Sequence, residues 1–305
     1  MNTVAVRSLR LAWRLPATLL LGLMAAMQGA SAQDAAALRA RQTALQASLS
    51  SNAYNRPIHI ESFHSFGDLR GEVFAVVQQP FAVAGPALQG MEHWCDIMML
   101  HLDVKMCRWS QAGADALTVS TARKYDQPLD SAAAVEFGYR VAASEPEYLQ
   151  VQLHADKGPM GTHDYRIVLE AVALDAKTSF VHLSYAYSQG FGGRIALEAY
   201  LATLGRNKVG FTVVDHKPDG QPVYIGNVRG LVERNCMRYF LAIDSYLSAY
   251  TLPPGEQLER RLHEWHAGVE RYPVQLHEME REDYLAMKRK EIQRQQTTAK
   301  GVKPG

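Results

Sequence analysis

The chain has 305 residues, of which 47% are hydrophobic and 21% charged, and its formal net charge is +1. This length and composition favour one sizeable domain with appended segments over two full domains. The near-neutral charge argues against nucleic acid as the main partner, because phosphate-binding surfaces usually carry a clear basic excess.

The N-terminus has the pattern of an export signal. Three arginines precede an apolar run from Leu15 to Met27, and Ala30-Ser31-Ala32 is a small-residue cleavage site. The run is short for a bilayer span, and no later segment of the sequence is long and apolar enough for one. We therefore predict a signal peptide over residues 1–32 and a periplasmic mature protein. An uncleaved N-terminal membrane anchor is the alternative.

The mature chain is predicted to begin with a helical segment over residues 33–55. Leu38, Leu45 and Leu49 recur there at helical spacing, so we expect a short amphipathic helix that packs loosely. The main domain is predicted to span residues 56–252. It opens with two strand-like runs on either side of the turn residues Gly67-Asp68, a pattern typical of a β-hairpin.

A pair of short helices should follow Pro80, because Gly85-Pro86 and Gly90 interrupt the helical pattern. The alternation that begins at His101 then predicts a strand. Cys95 and Cys107 flank this junction between helix and strand, and an exported chain with three cysteines allows one disulfide. We pair these two and expect Cys236 to be a buried thiol. A catalytic role for Cys236 would need a polarising base nearby.

The rest of the domain is predicted to be a meander followed by a long helix. Apolar and polar residues alternate in successive runs with turn residues between them, which predicts an antiparallel sheet with one apolar, tyrosine-rich face. A helix over Arg194–Gly205 and a short β-like run over Lys208–Val214 come next. The most regular amphipathic helix, Gly230–Tyr250, ends before Pro253-Pro254 and should cover the apolar face.

The C-terminal part is predicted to be an extension of the domain. Residues 253–295 contain two amphipathic helical patterns, and residues 296–305 form a basic tail that we expect to be disordered. The simplest role of the tail is to be solvated. Peripheral contact with an anionic envelope surface is the alternative.

This order of elements resembles the START-like (helix-grip, SRPBCC-type) superfamily over about Gly71 to Tyr250. The strings W-C-D-I-M-M-L-H-L-D-V-K-M-C, G-T-H-D-Y-R-I and V-E-R-N-C-M-R-Y also resemble those of exported proteobacterial proteins without an assigned activity. The superfamily resemblance implies an α+β fold in which a curved antiparallel sheet grips a long C-terminal helix around a cavity. A sheet that packs on its helices with nothing left to bind is the alternative.

A cavity of this kind would take a lipid-like or other hydrophobic small molecule, with no cofactor. A filled core is the alternative. Surface ion pairs are the simplest role for Glu233, Arg234 and Arg238. Arg234 or Arg238 at the cavity mouth would instead hold an anionic headgroup. The residues predicted to contact the ligand are Phe137, Tyr139, Val151, Ile167, Leu183, Tyr185, Arg238, Tyr239 and Ile243.

Two further functional classes stay open. An enzyme of the same fold would act on a hydrophobic substrate through His154, Asp164 and Arg166, which cluster around one predicted turn. An envelope interaction protein would instead work through the C-terminal helices. The sequence contains no nucleophile elbow, phosphate loop or dinucleotide fingerprint, so we expect binding rather than catalysis.

No metal site is predicted. His93, Asp96, His101 and Asp103 have suitable donor atoms, but two would lie on a helix and two on a strand, in an arrangement that matches no zinc site. The run His263-Glu264-Trp265-His266 lacks the histidine spacing of a zinc hydrolase motif and is expected to be a solvated helix face.

Overall fold

The computed structural model describes residues 34–111, 113–122, 128–203 and 205–301. The predicted signal peptide lies outside them. One antiparallel sheet has the strand order β1-β2-β8-β7-β6-β5-β4-β3. Strands β3 to β8 are therefore a meander, and the β1–β2 hairpin joins it through β8. The strands are β1 Ile58–Ser65, β2 Asp68–Val77, β3 Val104–Ser110, β4 Ala116–Thr121, β5 Ala133–Glu145, β6 Tyr148–Lys157, β7 Thr162–Ala173 and β8 Ser179–Gln189, with a separate pair β9 Val213–His216 and β10 Pro222–Tyr224.

The helices precede, interrupt and follow the sheet. They are α1 (residues 34–44), α2 Gln46–Ser50, α3 Phe81–Leu88, α4 Met91–Leu100, α5 Phe191–Ala202, α6 Asn227–Ala249, α7 Pro254–Glu270, α8 Pro273–Leu276 and α9 Arg281–Gly301. The predicted α+β class, with an antiparallel meander and additional C-terminal helices, is confirmed. Within the described ranges, no helix has the length and apolar character needed to cross a membrane.

Helix α6 lies against the inner face of the sheet. Its nearest strands are β1, β2 and β8, and helices α4 and α7 also contact it. Gly71 on β2 permits the close approach, because a Cβ atom there would lie 3.2 Å from both the Cβ of Cys236 and the carbonyl oxygen of Val232. The helix is thus held towards one side of the sheet, and β4, β5 and β7 stand farther from it.

The charged residues of α6 are not at the surface. Glu233, Arg234 and Arg238 are only 0%, 2% and 4% exposed, so the prediction of surface ion pairs is wrong. The reason is that α6 is covered on its second side as well. Trp265 of α7 is buried against it and donates a hydrogen bond from its indole nitrogen to the carbonyl oxygen of Arg238 (3.2 Å). Helix α6, predicted to cover one face of the sheet with its other side exposed, is instead buried between the sheet and α7.

The N-terminal helices cover the outer face of the sheet. Leu38, Leu45 and Leu49 are buried in a second apolar cluster with Phe74 of β2 and Phe180 of β8. The expectation of loose packing is therefore corrected. The outward-facing phenylalanines supply an apolar surface, so burying the leucines removes apolar area from water on both sides of the contact.

The C-terminal helices belong to the main core. Leu262 of α7 and Tyr284 of α9 are buried in the same cluster as the inner face of the sheet. Helix α9 continues through residues 296–301, which were expected to be disordered, and residues 302–305 lie outside the described ranges. Its last turns are held on β3, since the Cys107 amide donates to Gln295 Oε1 (2.8 Å) and Arg294 Nη2 donates to the Lys105 carbonyl (2.8 Å).

The predicted cysteine assignment agrees with the structure. Cys95 and Cys107 form a disulfide with a Cα–Cα distance of 5.2 Å, and Cys236 is a buried free thiol. The bridge joins the middle of α4 to β3. It therefore fixes the turn that carries His101 and Asp103 towards the interior.

Candidate functional site

A cavity of about 800 Å³ lies between α6 and the strands that stand away from it. This volume is within the usual range of small-molecule sites in proteins, roughly 300–1,000 Å³. Its position follows from the fold, because α6 is drawn towards β2 and leaves space beneath β4, β5 and β7. The space between sheet and helix is therefore partly open rather than a filled core.

Most of the cavity wall is apolar or aromatic. The aliphatic side comes from β4, β5, β7 and α5, and the aromatic side comes from β5, β7, β8 and α6. The rings contact one another: Tyr165 packs edge-on against Phe137 (centroids 6.1 Å apart) and face-on against Tyr187 (5.2 Å). The wall residues of this kind are Val119, Val135, Phe137, Tyr165, Ile167, Tyr185, Tyr187, Leu197 and Tyr239.

The tyrosines keep their protons. Burial raises the pKa of Tyr165, Tyr185, Tyr187 and Tyr239 above the usual value. The hydroxyl groups of Tyr165 and Thr162 are hydrogen-bonded to each other (2.7 Å). Those of Tyr185 and Tyr239 make no hydrogen bond to any other described residue, so each can donate to a bound molecule.

One end of the cavity is charged; we call it the polar end. It consists of His101, Asp103, Lys208, Arg234, Arg238 and Glu278. Glu278, in the link between α8 and α9, accepts hydrogen bonds from Lys208 (2.6 Å), Arg238 (3.0 Å) and Arg234. Burial alone would raise the pKa of Glu278, but Arg238, Lys208 and Arg234 outweigh it and lower the pKa. Three cations therefore share one ionised carboxylate.

His101 lies beside these cations as a neutral ring. Burial, reinforced by Arg238, Lys288 and Lys105, lowers the pKa of His101 well below its usual value. Its Nδ1 accepts a hydrogen bond from the backbone amide of Asp103 (3.2 Å), which leaves the proton on Nε2. The ring stacks on Tyr239, with centroids 4.7 Å apart.

Asp103 differs from an ordinary surface aspartate. Burial raises its pKa, although Arg238 opposes the shift. Among the described residues of the polar end there are three cations and two carboxylates.

Two nitrogen donors at the polar end have no acceptor. The Nε2 of His101 and the Nε of Arg238 are buried and make no hydrogen bond within the described chain. Leaving a buried donor unpaired costs about 1–3 kcal/mol. Both residues line the cavity.

The predicted ligand-contacting residues fall into three groups. Phe137, Ile167, Tyr185, Arg238 and Tyr239 line the cavity. Leu183 and Ile243 line a neighbouring void of about 10 Å³ that also touches Ile167, Tyr185 and Tyr239.

Val151 and Tyr139 do not line the cavity. Val151 of β6 is fully buried in the packed core, and the Tyr139 hydroxyl accepts a hydrogen bond from the Gly90 amide (3.2 Å). The twist of a sheet carries residues of one face past different covering elements along its strands. Here β6 contacts α3, and Tyr139 of β5 contacts Gly90, a residue between α3 and α4.

The tentative catalytic residues lie together, but outside the cavity. His154 on β6 is paired in register with Arg166 on β7, and Asp164 is 3.3 Å from the Arg166 guanidinium and 3.9 Å from His154. All three side chains are at least two-fifths exposed on the outer face of the sheet. None of the three lines the cavity between α6 and the sheet.

Sequence reasoning missed part of the polar end. His101 and Asp103 were considered only as metal ligands, and Lys208, Asn235 and Glu278 were not singled out, yet all five line the cavity. The one available signal was that the three strings at residues 94–107, 161–167 and 232–239 carry many of the wall residues. In the part of the chain that the structure describes, no group of three His, Cys, Asp or Glu residues could hold a metal ion.

No protein-family model matches the chain, and no curated protein matches its sequence. Several solved structures share part of its architecture. The Zhui aromatase/cyclase from a Streptomyces species is 12% identical over 47% of this chain and 86% of its own, with a TM-score of 0.32. Norcoclaurine synthase from Thalictrum flavum is 12% identical over 48% and 81%, with a TM-score of 0.31. Ara h 8.0201 is 12% identical over 62% and 99%, with a TM-score of 0.36. Likenesses this slight carry no argument about activity or ligand.

Proposed function

We propose that this chain is an exported periplasmic protein that binds or carries a hydrophobic small molecule, lipid-like or otherwise, without transforming it. The observation that carries the proposal is the cavity of about 800 Å³ with an aliphatic and aromatic wall. Export is supported by the N-terminal pattern and by the Cys95–Cys107 disulfide, a bond typical of oxidising compartments.

The wall suits an apolar body with a few polar groups. Transfer of apolar surface from water into such a cavity is favourable, at about 25 cal/mol per Å². The hydroxyls of Tyr185 and Tyr239, which have no hydrogen-bond partner among the described residues, then orient the molecule. The polar end accommodates one charged or strongly polar group.

Binding is favoured over catalysis by where the reactive side chains lie. The cluster of His154, Asp164 and Arg166 is exposed on the opposite face of the sheet. Burial raises the pKa of the Cys236 thiol, whose hydrogen bond goes to the Leu183 carbonyl (3.7 Å) and not to a base. No specific observation therefore favours an enzyme.

The same argument applies to an envelope interaction through the C-terminal helices. The apolar residues of α7 and α9, among them Trp265 and Leu285, are buried against the rest of the domain. Because these apolar faces are already buried within the domain, we do not propose the helices as a docking surface.

The test is a cavity-filling variant with a matched control on the same strand. Val135 of β5 lines the cavity, whereas Val141 of β5 is exposed and lies outside it. We expect Val135→Trp to lower the affinity for a neutral fluorescent hydrophobe at least about 10-fold, which corresponds to ~1.4 kcal/mol. Val141→Trp should leave the affinity unchanged.

Organic extraction of the purified protein followed by mass spectrometry provides an independent measurement. A hydrophobic molecule at close to one equivalent is expected from the wild type and not from Val135→Trp. A wild-type protein that yields no extractable molecule and binds no hydrophobic probe would contradict the proposal. So would a folded Val135→Trp variant that binds as well as the wild type.

A further inference from the structure

We propose that the ligand of this cavity carries a carboxylate, which lies at the polar end and accepts hydrogen bonds from His101 and Arg238. This inference rests on the proposed function and adds the chemical class of the ligand. Its basis is the unpaired donors, the charge balance and the burial of the residues concerned.

Arg238 and His101 each have one N–H donor without an acceptor among the described residues. The Arg238 side chain uses Nη2 on the Leu276 carbonyl (3.2 Å) and on Glu278 (3.0 Å), while its Nε has no acceptor among the described residues. His101 uses Nδ1 on the Asp103 amide and keeps an unpaired Nε2–H. Both side chains line the cavity and are more than nine-tenths buried. An acceptor supplied by a ligand would satisfy both N–H groups.

The charge balance specifies an acidic acceptor. Lys208, Arg234 and Arg238 all pair with the single carboxylate of Glu278. Asp103 is the second carboxylate there, so the described residues of the polar end comprise three cations and two carboxylates. Among its described residues the polar end therefore has one more cation than carboxylate in a buried setting, where an oxyanion is stabilised more strongly than in water.

A carboxylate fits better than a larger anion. It carries a single charge and two oxygens in one plane, matching one guanidinium N–H and one imidazole N–H. A phosphate monoester would bring about two charges and more acceptor sites than these two donors satisfy. The remainder of the ligand faces the aliphatic and aromatic wall, so the class is a hydrophobic carboxylic acid.

The experiment compares cis-parinaric acid with its methyl ester, two fluorescent probes that differ in the ionised group. Binding to the purified protein is followed by probe fluorescence at neutral pH. We expect the acid to bind wild-type protein at least about 10-fold more tightly than the ester, as charge-assisted hydrogen bonds require. Circular dichroism of each variant reports whether it is folded.

The variants remove one donor at a time. Arg238→Met deletes the guanidinium, and Arg261→Met is its control: Arg261 is also buried and has an unpaired Nε, but pairs with Asp96 outside the cavity. His101→Asn retains an acceptor for the Asp103 amide and removes the Nε2–H, whereas His101→Gln places an amide donor near the Nε2 position.

Arg238→Met and His101→Asn should each weaken binding of the acid about 10-fold and binding of the ester less than about 3-fold. Arg261→Met should leave the ratio of the two affinities unchanged, and His101→Gln should recover part of the loss seen with Asn. If Arg238→Met does not fold, the two His101 variants and the ratio of acid to ester affinity in the wild type still test the inference.

The outcomes separate the two proposals. If neither probe binds wild-type protein, the proposed function fails together with the inference. If acid and ester bind equally well, or if the His101 and Arg238 variants weaken both alike, the carboxylate assignment is overturned while hydrophobic binding stands. An alkyl phosphate that binds more tightly than the acid would also overturn it.

Discussion

The buried carboxylate of Glu233 should control how the segment before β9 is attached to α6. Its Oε2 accepts hydrogen bonds from the amides of Phe211 (2.6 Å) and Thr212 (2.9 Å). Its Oε1 accepts from the hydroxyls of Ser62 (2.6 Å) and Thr212 (2.6 Å). One carboxylate thus joins α6, β1 and the stretch that leads from Lys208, a residue of the cavity wall.

The magnitude follows from which donors lose their acceptor. In Glu233→Leu, the buried amide of Phe211, the partly buried amide of Thr212 and two hydroxyls lose their acceptor at once. The hydroxyls can rotate, but the amides cannot, and an unpaired buried donor costs about 1–3 kcal/mol. We expect Glu233→Leu to reduce the free energy of unfolding by about 4 kcal/mol.

Glu233→Gln should cost about half as much. The amide oxygen can still accept from the Phe211 and Thr212 amides, while its NH₂ group faces hydroxyls that can turn and accept. The loss is then mainly the charge assistance of these bonds, about 2 kcal/mol in all. Ser62→Ala removes one hydroxyl donor and should cost roughly 1 kcal/mol.

Urea unfolding followed by tryptophan fluorescence measures the three variants under one condition. The expected order of stability is wild type, Ser62→Ala, Glu233→Gln and Glu233→Leu. If Glu233→Leu proved as stable as Glu233→Gln, the cost of unpaired amides would not be the controlling quantity, and the reasoning would be refuted.

Three further predictions concern packing, pH and the disulfide. Gly71→Ala should destabilise the fold by about 1–2 kcal/mol, measured by urea unfolding, because the new methyl group presses α6 away from β2; an unchanged midpoint would contradict this. Burial tends to lower the pKa of His182, but Glu170 and Glu72 outweigh it and raise the pKa above 6.5. Protonated His182 therefore stabilises the folded state; this contribution is complete below pH 6.5 and is lost as pH rises through the raised pKa. Unfolding measured from pH 6 to 9 should show this decline in the wild type, and a His182→Gln variant with the same decline would disprove the assignment. Replacing Cys95 and Cys107 together by alanine should cost about 3 kcal/mol, since the bridge closes a short loop of 12 positions. Reductant should lower the melting temperature of the wild type and leave that of the double variant unchanged; equal sensitivity of both would refute it.

Much of the fold could be predicted from the sequence because it depends on local periodicity. Alternating residues assign each strand an inner and an outer face whatever the strand pairs with. For the same reason the tyrosine-rich face was predicted to be inward, and Tyr185 and Ile167 do line the cavity. The disulfide was also within reach, since its two cysteines lie on either side of one turn.

The candidate site could be predicted only in part, because its polar end is assembled from distant segments. Glu278 pairs with Arg238 across 40 positions of the chain, and His101 reaches Tyr239 from a turn after α4. The periodicity of residues along the chain does not predict contacts between residues this far apart in sequence. The charged residues of α6 were therefore expected at the surface, and the residues that cover them were not identified.

The sequence by itself determined the meander, the inner and outer faces of its strands, the position of α6 and the cysteine pair, since these follow from the order and spacing of residues along the chain. Only the tertiary structure decided that β2 pairs with β8, that Gly71 lets α6 approach that side of the sheet, and that a cavity opens beneath the other. The physical reason is that an empty volume depends on the distance between packed elements. That distance is set by a few close contacts between residues far apart in sequence.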